Sequence, residues 1–228
     1  MRVIARVGRG VGGIRGGPVD IGAMVIALAG VAGTLGGALL TQRGAEGLER
    51  FAVLGYSLGG NVAVRIATRH PERVTALVLT ATFARGGNGL QLIGGLWSEL
   101  AARRENELLA RLLVPLAFSE GALESLTPEQ VEAVVRDTAA SVPPGSGDHV
   151  DLINGSDLRA EAARIDLPAL VIATTGDRLV PPALQRELAD ALPGARVAEL
   201  PTGHLPFAER PAEWAALVTG FLARPAAR

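Results

Sequence analysis

The chain of 228 residues contains no cysteine, which excludes a disulfide framework, a thiolate metal site and a cysteine nucleophile. Lysine is absent as well: all 22 basic residues are arginine, so Schiff-base and Ser-Lys chemistry have no side chain to use. An excess of charge of either sign is also missing. The 22 basic and 23 acidic residues leave a formal charge of −1, with no basic stripe and no acidic tail, which disfavours nucleic acid as a partner and points to a small, neutral or weakly charged molecule. Aromatic residues are scarce at 4%, beside an ordinary apolar content of 48%. The length suits one domain with a sizeable core and an inserted lobe.

The first 44 residues are unlike the remainder. They hold twelve glycines, five arginines and a single acid, Asp20, with no aromatic and no serine. Ile21 to Gln42 is an uncharged run of 22 residues preceded by Arg2, Arg6, Arg9 and Arg15, which on length and flanking charge resembles a membrane anchor through residues 21–40. Its glycines (Gly22, Gly30, Gly33, Gly36, Gly37) and its lack of Trp or Tyr argue instead for a buried helical region distorted by glycine. A third reading, drawn from the narrow Gly/Ala/Arg/Val vocabulary, is a mistaken start or reading frame. The leading expectation is a cytoplasmic protein, with the anchored form as its alternative.

From residue 47 onward the local signals agree. Phe51 to Gly55 is an apolar run of strand length, Leu58 to His70 has apolar residues at helical spacing before Pro71, and Val74 to Thr80 is a second β-rich run. Strand, tight turn, helix and strand make a βαβ unit and imply a parallel sheet. The stretch from 85 to 149 reads as helices and loops: Leu90 to Val114 is leucine-rich and interrupted at Gly94-Gly95, and Thr127-Pro-Glu-Gln130 is a capping box. Sheet pattern resumes at Pro168 to Thr174, followed by a helix near 182–192, a strand at Arg196 to Leu200 and a terminal helix at 211–222. The expected architecture is a doubly wound, mostly parallel α/β domain formed by residues 45–84 and 150–228, with 85–149 as a helical lobe.

Three loop positions concentrate the chemistry. Gly55-Tyr-Ser-Leu-Gly59 is a G-x-S-x-G sequence at a strand-to-helix junction, where a sharp turn exposes the Ser57 hydroxyl and the glycines leave room for it. With seven serines and 29 glycines in the chain, only about 0.1 such matches are expected by chance. The competing reading is a plain helix cap. A serine needs a base, and the chain has three histidines. His70 lies at a helix end, His149 closes the helical lobe in polar Gly-Ser-Gly-Asp-His surroundings that favour surface exposure, with a pocket-lining position as the alternative, and His204 lies in a loop after the last strand, where a parallel sheet places its active site. The orienting carboxylate that fits is Asp177, after the strand ending near Thr174; an Asx turn is its alternative role. Asp166 precedes its strand, and the loop after Thr80 contains no acid.

The text around these positions resembles the α/β-hydrolase superfamily, over roughly four-fifths of the chain. It is carried by Gly47-Leu-Glu-Arg-Phe-Ala-Val-Leu-Gly-Tyr-Ser-Leu-Gly-Gly60, Arg69-His-Pro-Glu-Arg-Val74, Leu167-Pro-Ala-Leu-Val-Ile172, Gly176-Asp-Arg-Leu-Val-Pro-Pro182 and Gly203-His-Leu-Pro-Phe-Ala-Glu-Arg-Pro-Ala-Glu-Trp214. These read like the superfamily's small capped bacterial members, which include enol-lactonases, carboxylesterases, C–C bond hydrolases and cofactor-free haloperoxidases. The resemblance implies Ser57 as nucleophile, His204 as base and then acid, Asp177 as orienting carboxylate, and the backbone N–H of Leu58 as one oxyanion donor. It implies a cap over residues 85–149, a small ester or lactone substrate cleaved through an acyl-enzyme, and neither cofactor nor metal. Tyr56, Trp97 and Phe118 are candidate pocket residues, with packing as the alternative. Family members also carry a His-Gly segment before the elbow that supplies the second oxyanion donor. Here no histidine precedes residue 70. A degenerate, inactive hydrolase is therefore the alternative function, and a glycine-rich nest within residues 8–17 is a candidate substitute donor.

Overall fold

The computed structural model describes residues 3–4, 24–27, 50–142 and 145–223. Six parallel strands form one sheet in chain order: β1 (Val3–Ile4), β2 (Met24–Ala27), β3 (Phe51–Tyr56), β4 (Val74–Thr80), β5 (Ala169–Thr174) and β6 (Arg196–Leu200). Strand periodicity divides the core into two layers. Phe51, Val53, Leu77, Leu79 and Val171 point to one face, against α1 (Leu58–Arg69) and α8 (Pro182–Ala191). Leu54, Val78, Leu170 and Ile172 point to the other, against Trp214 and Val218 of α10 (Pro211–Leu222). Both faces are thus covered, as an α/β fold requires, and β3, β4 and β5 read as continuous apolar runs because neither face meets water.

Between β4 and β5 the chain leaves the sheet for a helical insertion comprising α2 (Asn88–Ala102), α3 (Asn106–Ala117), α4 (Glu120–Glu124), α5 (Pro128–Ser141) and α6 (Ser146–Asn154), and then α7 (Arg159–Ala162). Its neck is closed by an antiparallel bridge between Arg85 and Asp157 and by the Leu158 N–H donating to the Ala84 carbonyl at 2.8 Å. The expected capping box opens α5: Gln130 N–H donates to Thr127 Oγ1 at 3.3 Å, and Thr127 N–H donates to Gln130 Oε1 at 2.8 Å. A short α9 (Pro206–Glu209) precedes α10.

Two local expectations fail for physical reasons. The Gly94-Gly95 pair does not interrupt α2; the helix runs through it, because Gly94 faces α6 and a Cβ there would lie 2.6 Å from Val150 Cγ1. The glycine serves helix contact rather than termination, and the chain breaks only around Arg104, whose φ is 61°. The uncharged run from Ile21 is not helical throughout. Met24–Ala27 is extended and hydrogen-bonded alongside β3, with Ala27 opposite Gly55, so no one continuous helix spans 21–40; the rest of the run lies outside the described residues. Among the described residues no helix is long and apolar enough to cross a membrane. The candidate nest at residues 8–17 lies outside the described residues.

Candidate active site

The C-terminal ends of β3, β5 and β6 converge on one point. Ser57 follows β3 with φ 51° and ψ −130°, a left-handed conformation that costs a residue with a Cβ about 1–3 kcal/mol and persists only where its surroundings enforce it. Those surroundings are in place. Ser57 N–H donates to the Thr80 carbonyl at 3.1 Å, while the Ser57 carbonyl accepts from Gly60 N–H at 2.8 Å and from Thr82 Oγ1 at 2.7 Å. Glycines make the turn possible: a Cβ on Gly55 would lie 2.6 Å from Gly60 Cα, and one on Gly60 would collide with the Thr82 side chain. Gly60, outside the five-residue motif, is thus as constrained as Gly55. Leu58 opens α1, where first-turn N–H groups lack intrahelical acceptors and the helix dipole favours negative charge.

His204, 5% exposed, lies in the loop after β6. Its Nε2 is 2.9 Å from Ser57 Oγ and its Nδ1 2.8 Å from Asp177 Oδ2. Asp177, 3% exposed, follows β5. Its Oδ1 accepts from the backbone N–H groups of Leu179 and Val180 at 3.0 and 2.8 Å, and its Oδ2 accepts from Thr174 Oγ1 at 3.0 Å and Gln185 Nε2 at 3.3 Å. Five polar hydrogens therefore surround this carboxylate when the histidine carries its proton on Nδ1, and that tautomer leaves Nε2 free to accept the Ser57 proton. The arrangement can carry out nucleophilic acyl transfer: a hydroxyl aimed at a base whose conjugate acid is stabilised by a buried anion.

Two supporting groups escape motif reading. Gln185 of α8 is fully buried; besides Asp177 it bonds the Thr174 backbone N–H at 2.9 Å and the Val180 carbonyl at 2.8 Å, tying the acid loop to the end of β5. The available signal is its place on the buried face of α8 with Leu188 and Ala189. Glu209 of α9 accepts from Gly203 N–H and Ser119 N–H, each at 3.0 Å, and from Ser119 Oγ at 2.5 Å. It joins the His204 loop to the helical insertion, and His204 N–H donates to the Ala117 carbonyl at 2.6 Å in the same seam. The backbones approach so closely that a Cβ on Gly203 would collide with Ala117 and Ser119.

A cavity of about 200 Å³ opens above Ser57. Its sheet side is formed by Tyr56, Ser57, Leu58, Phe83 and His204, and the insertion contributes Leu90, Ile93, Trp97, His149, Val150 and Ile153. The Tyr56 ring lies 5.1 Å from that of His204, tilted by 45°, and 5.0 Å edge-on from that of Phe207. Desolvation, and next the Asp177 charge, hold its phenol well above its ordinary range, so it stays protonated. Trp97 lines the cavity with its indole N–H donated to Ser146 Oγ. Phe118 does not reach the cavity: it packs with Ala110, Val114 and Val135 between α3 and α5. His149 reverses the expectation of surface exposure, because α6 packs along α2 and turns His149, Val150 and Ile153 inward. His70 is remote, 3.7 Å from Glu72 at the end of α1. Arg178, beside Asp177, is exposed, with a 3.5 Å contact to the Phe118 carbonyl.

The sequence profile of the alpha/beta hydrolase fold matches residues 39–211. The chain belongs to the α/β-hydrolase family. Among relatives of this hydrolase, a pyrrolizixenacetamide deacetylase of Xenorhabdus hominickii is 30% identical over 174 residues, spanning 75% of this chain and 65% of the deacetylase. A pimeloyl-(acyl-carrier protein) methyl ester esterase of Nitrosomonas europaea is 32% identical over 177 residues, spanning 72% of this chain and 68% of the esterase. Among solved structures, the enol-lactonase of Burkholderia xenovorans superposes with a TM-score of 0.74 at 30% identity, covering 84% of this chain and 72% of that one. This hydrolase therefore spans about two-thirds of the length of such relatives.

Proposed function

We propose that this α/β-hydrolase is a serine esterase or lactonase for small, uncharged acyl compounds, acting through an acyl-enzyme. The observation that carries the reading is the unbroken chain Ser57 Oγ, His204 Nε2, His204 Nδ1, Asp177 Oδ2, at 2.9 and 2.8 Å. In the forward half, Ser57 Oγ attacks the substrate carbonyl as its proton passes to His204 Nε2. Asp177 holds the imidazolium, and the Leu58 N–H at the start of α1 meets the developing oxyanion. The tetrahedral intermediate then expels its alkoxide, which takes the proton from His204. Water repeats the sequence on the acyl-enzyme and restores Ser57. Helices α2 to α6 act as the cap, and Tyr56 and Trp97 shape the pocket.

Cavity size sets the substrate scale. At about 200 Å³ the cavity lies below the roughly 300–1,000 Å³ common for ligand pockets, and most of its lining is hydrocarbon. For p-nitrophenyl esters, kcat/KM is expected to peak at acyl chains of about four to six carbons and to fall about tenfold or more by ten carbons, since longer chains must displace the apolar wall. Ser57→Ala is expected to abolish the whole series above background. A series that rises through ten carbons, or activity retained in Ser57→Ala, would contradict the reading.

A further inference from the structure

Among the described residues, and apart from Ser57, His204 and Tyr56, the cavity wall is apolar or has its polar group already satisfied, with one exception. Trp97 gives its N–H to Ser146, and Leu90, Ile93, Val150, Ile153 and Leu179 are hydrocarbon. The exception is His149, a half-buried imidazole on α6 that faces the cavity and has no side-chain hydrogen-bond partner among the described residues. An imidazole offers one donor and one acceptor; the His149 ring nitrogens are not among the buried unpartnered atoms, so water reaches them, and a molecule that displaces this water from the cavity must supply a partner of its own. Its surroundings also select the charge of that molecule. Among the described residues no arginine lines the cavity, and α6 carries the exposed Asp148 and Asp151 beside His149, so the charge on this helix disfavours a carboxylate.

We propose that His149 is a specificity-determining residue that hydrogen-bonds a second, neutral oxygen function of the substrate, a hydroxyl or a carbonyl lying away from the scissile ester. This deepens the serine-hydrolase reading and rests on it: the floor of the cavity cleaves the ester, and the cap reads an oxygen on the same small molecule. Tyr56, the other unsatisfied polar group of the wall, sits on the floor against His204 and belongs to the reacting end.

The test compares near-isosteric esters in the full-length protein: p-nitrophenyl pentanoate against 4-oxopentanoate, and butanoate against 3-hydroxybutanoate, with the glutarate monoester as the anionic probe. The quantity read is the ratio of kcat/KM within each pair, which cancels changes common to both members. The expected result is a preference of about tenfold or more for the oxygenated member of at least one pair in the wild type, the scale of one well-placed hydrogen bond. It should collapse in His149→Phe, be partly retained in His149→Gln, and persist in Tyr56→Phe. A cooperative thermal transition in each variant establishes that it is folded. Hydrolysis of the plain esters without any oxygen preference would overturn the role of His149 and leave the serine-hydrolase reading standing. So would a preference that survives His149→Phe, or a glutarate monoester favoured over both neutral classes. Absence of turnover on every ester would overturn both.

Discussion

The two walls of the cavity are built differently. On the sheet side, Asp177 and Gln185 are almost wholly buried, each is held by several hydrogen bonds, and the strands beneath them alternate side chains into two apolar layers. In the insertion, α3 buries Leu109, Ala110, Leu113 and Val114, but α4 buries no residue, α5 only Val135, α2 only Leu90 and Gly94, α6 only Ser146 and Val150, and Leu92 and Leu96 of α2 are exposed. Reaction geometry tolerates little displacement, so it belongs on the rigid side. Selection among substrates needs only a shaped surface, and a thin layer of amphipathic helices provides one. The hydrogen bonds from the 117–119 segment and Glu209 to the His204 loop fasten the two together.

The sharpest way to break this contrast is to disturb the rigid wall without changing its shape. Asp177→Asn is expected to lower kcat by about 1,000- to 10,000-fold with little change in KM, because the amide stabilises the wrong histidine tautomer and no imidazolium; steady-state kinetics on a butanoate ester checks it. Next in size is Gly55→Ala. The new methyl would meet Gly60 Cα and Ala63 Cβ at 2.6 and 2.7 Å, and a loss of about 3 kcal/mol or more is expected from forcing the elbow apart. Urea unfolding measures it.

A paired truncation compares the walls directly. Leu79 is fully buried in the sheet layer, whereas Leu96 is 47% exposed. Leu79→Ala should cost about 2–5 kcal/mol, and Leu96→Ala about 0.5 kcal/mol or less. Equal costs would erase the distinction. The smallest effect concerns the neck of the insertion. Arg159 holds the Asp157 carboxyl down from 3.8 to about 2. A lowered carboxylate contributes stability that is present above the ordinary value and lost as pH falls through the lowered one. Asp157→Asn should therefore lower the thermal midpoint slightly at pH 7, with the difference shrinking from pH 4 and vanishing only below about pH 2.

The sequence was most legible where backbone geometry restricts residue type. The elbow appears in G-x-S-x-G because sterics demand glycine, and the strands β3 to β5 appear because burial on both faces leaves runs such as Val74–Thr80 almost wholly apolar. The positions of Asp177 and His204 followed from their place after successive strands. Less legible were features decided by contacts between distant segments. Gly94 looked like a helix break until Val150 was seen against it. His149 looked surface-exposed in its polar surroundings, although its i, i+4 spacing to Ile153 puts it on the inward stripe of a helix. Gln185 and Glu209 act through loops 8 and 90 residues away in sequence, and no local pattern marks a carboxylate whose partners are two backbone N–H groups and a serine hydroxyl. Phe118 was an aromatic in the right segment, facing another core.

The central claim is that Ser57 and His204 form an activated pair on the rigid wall. Intact-mass analysis of the protein after treatment with a fluorophosphonate probe tests it most directly, run beside Ser57→Ala and His204→Ala. The account predicts a single phosphonyl adduct on the wild type and none on either variant. A folded wild-type protein that stays unlabelled, or an adduct that persists in Ser57→Ala, would contradict it.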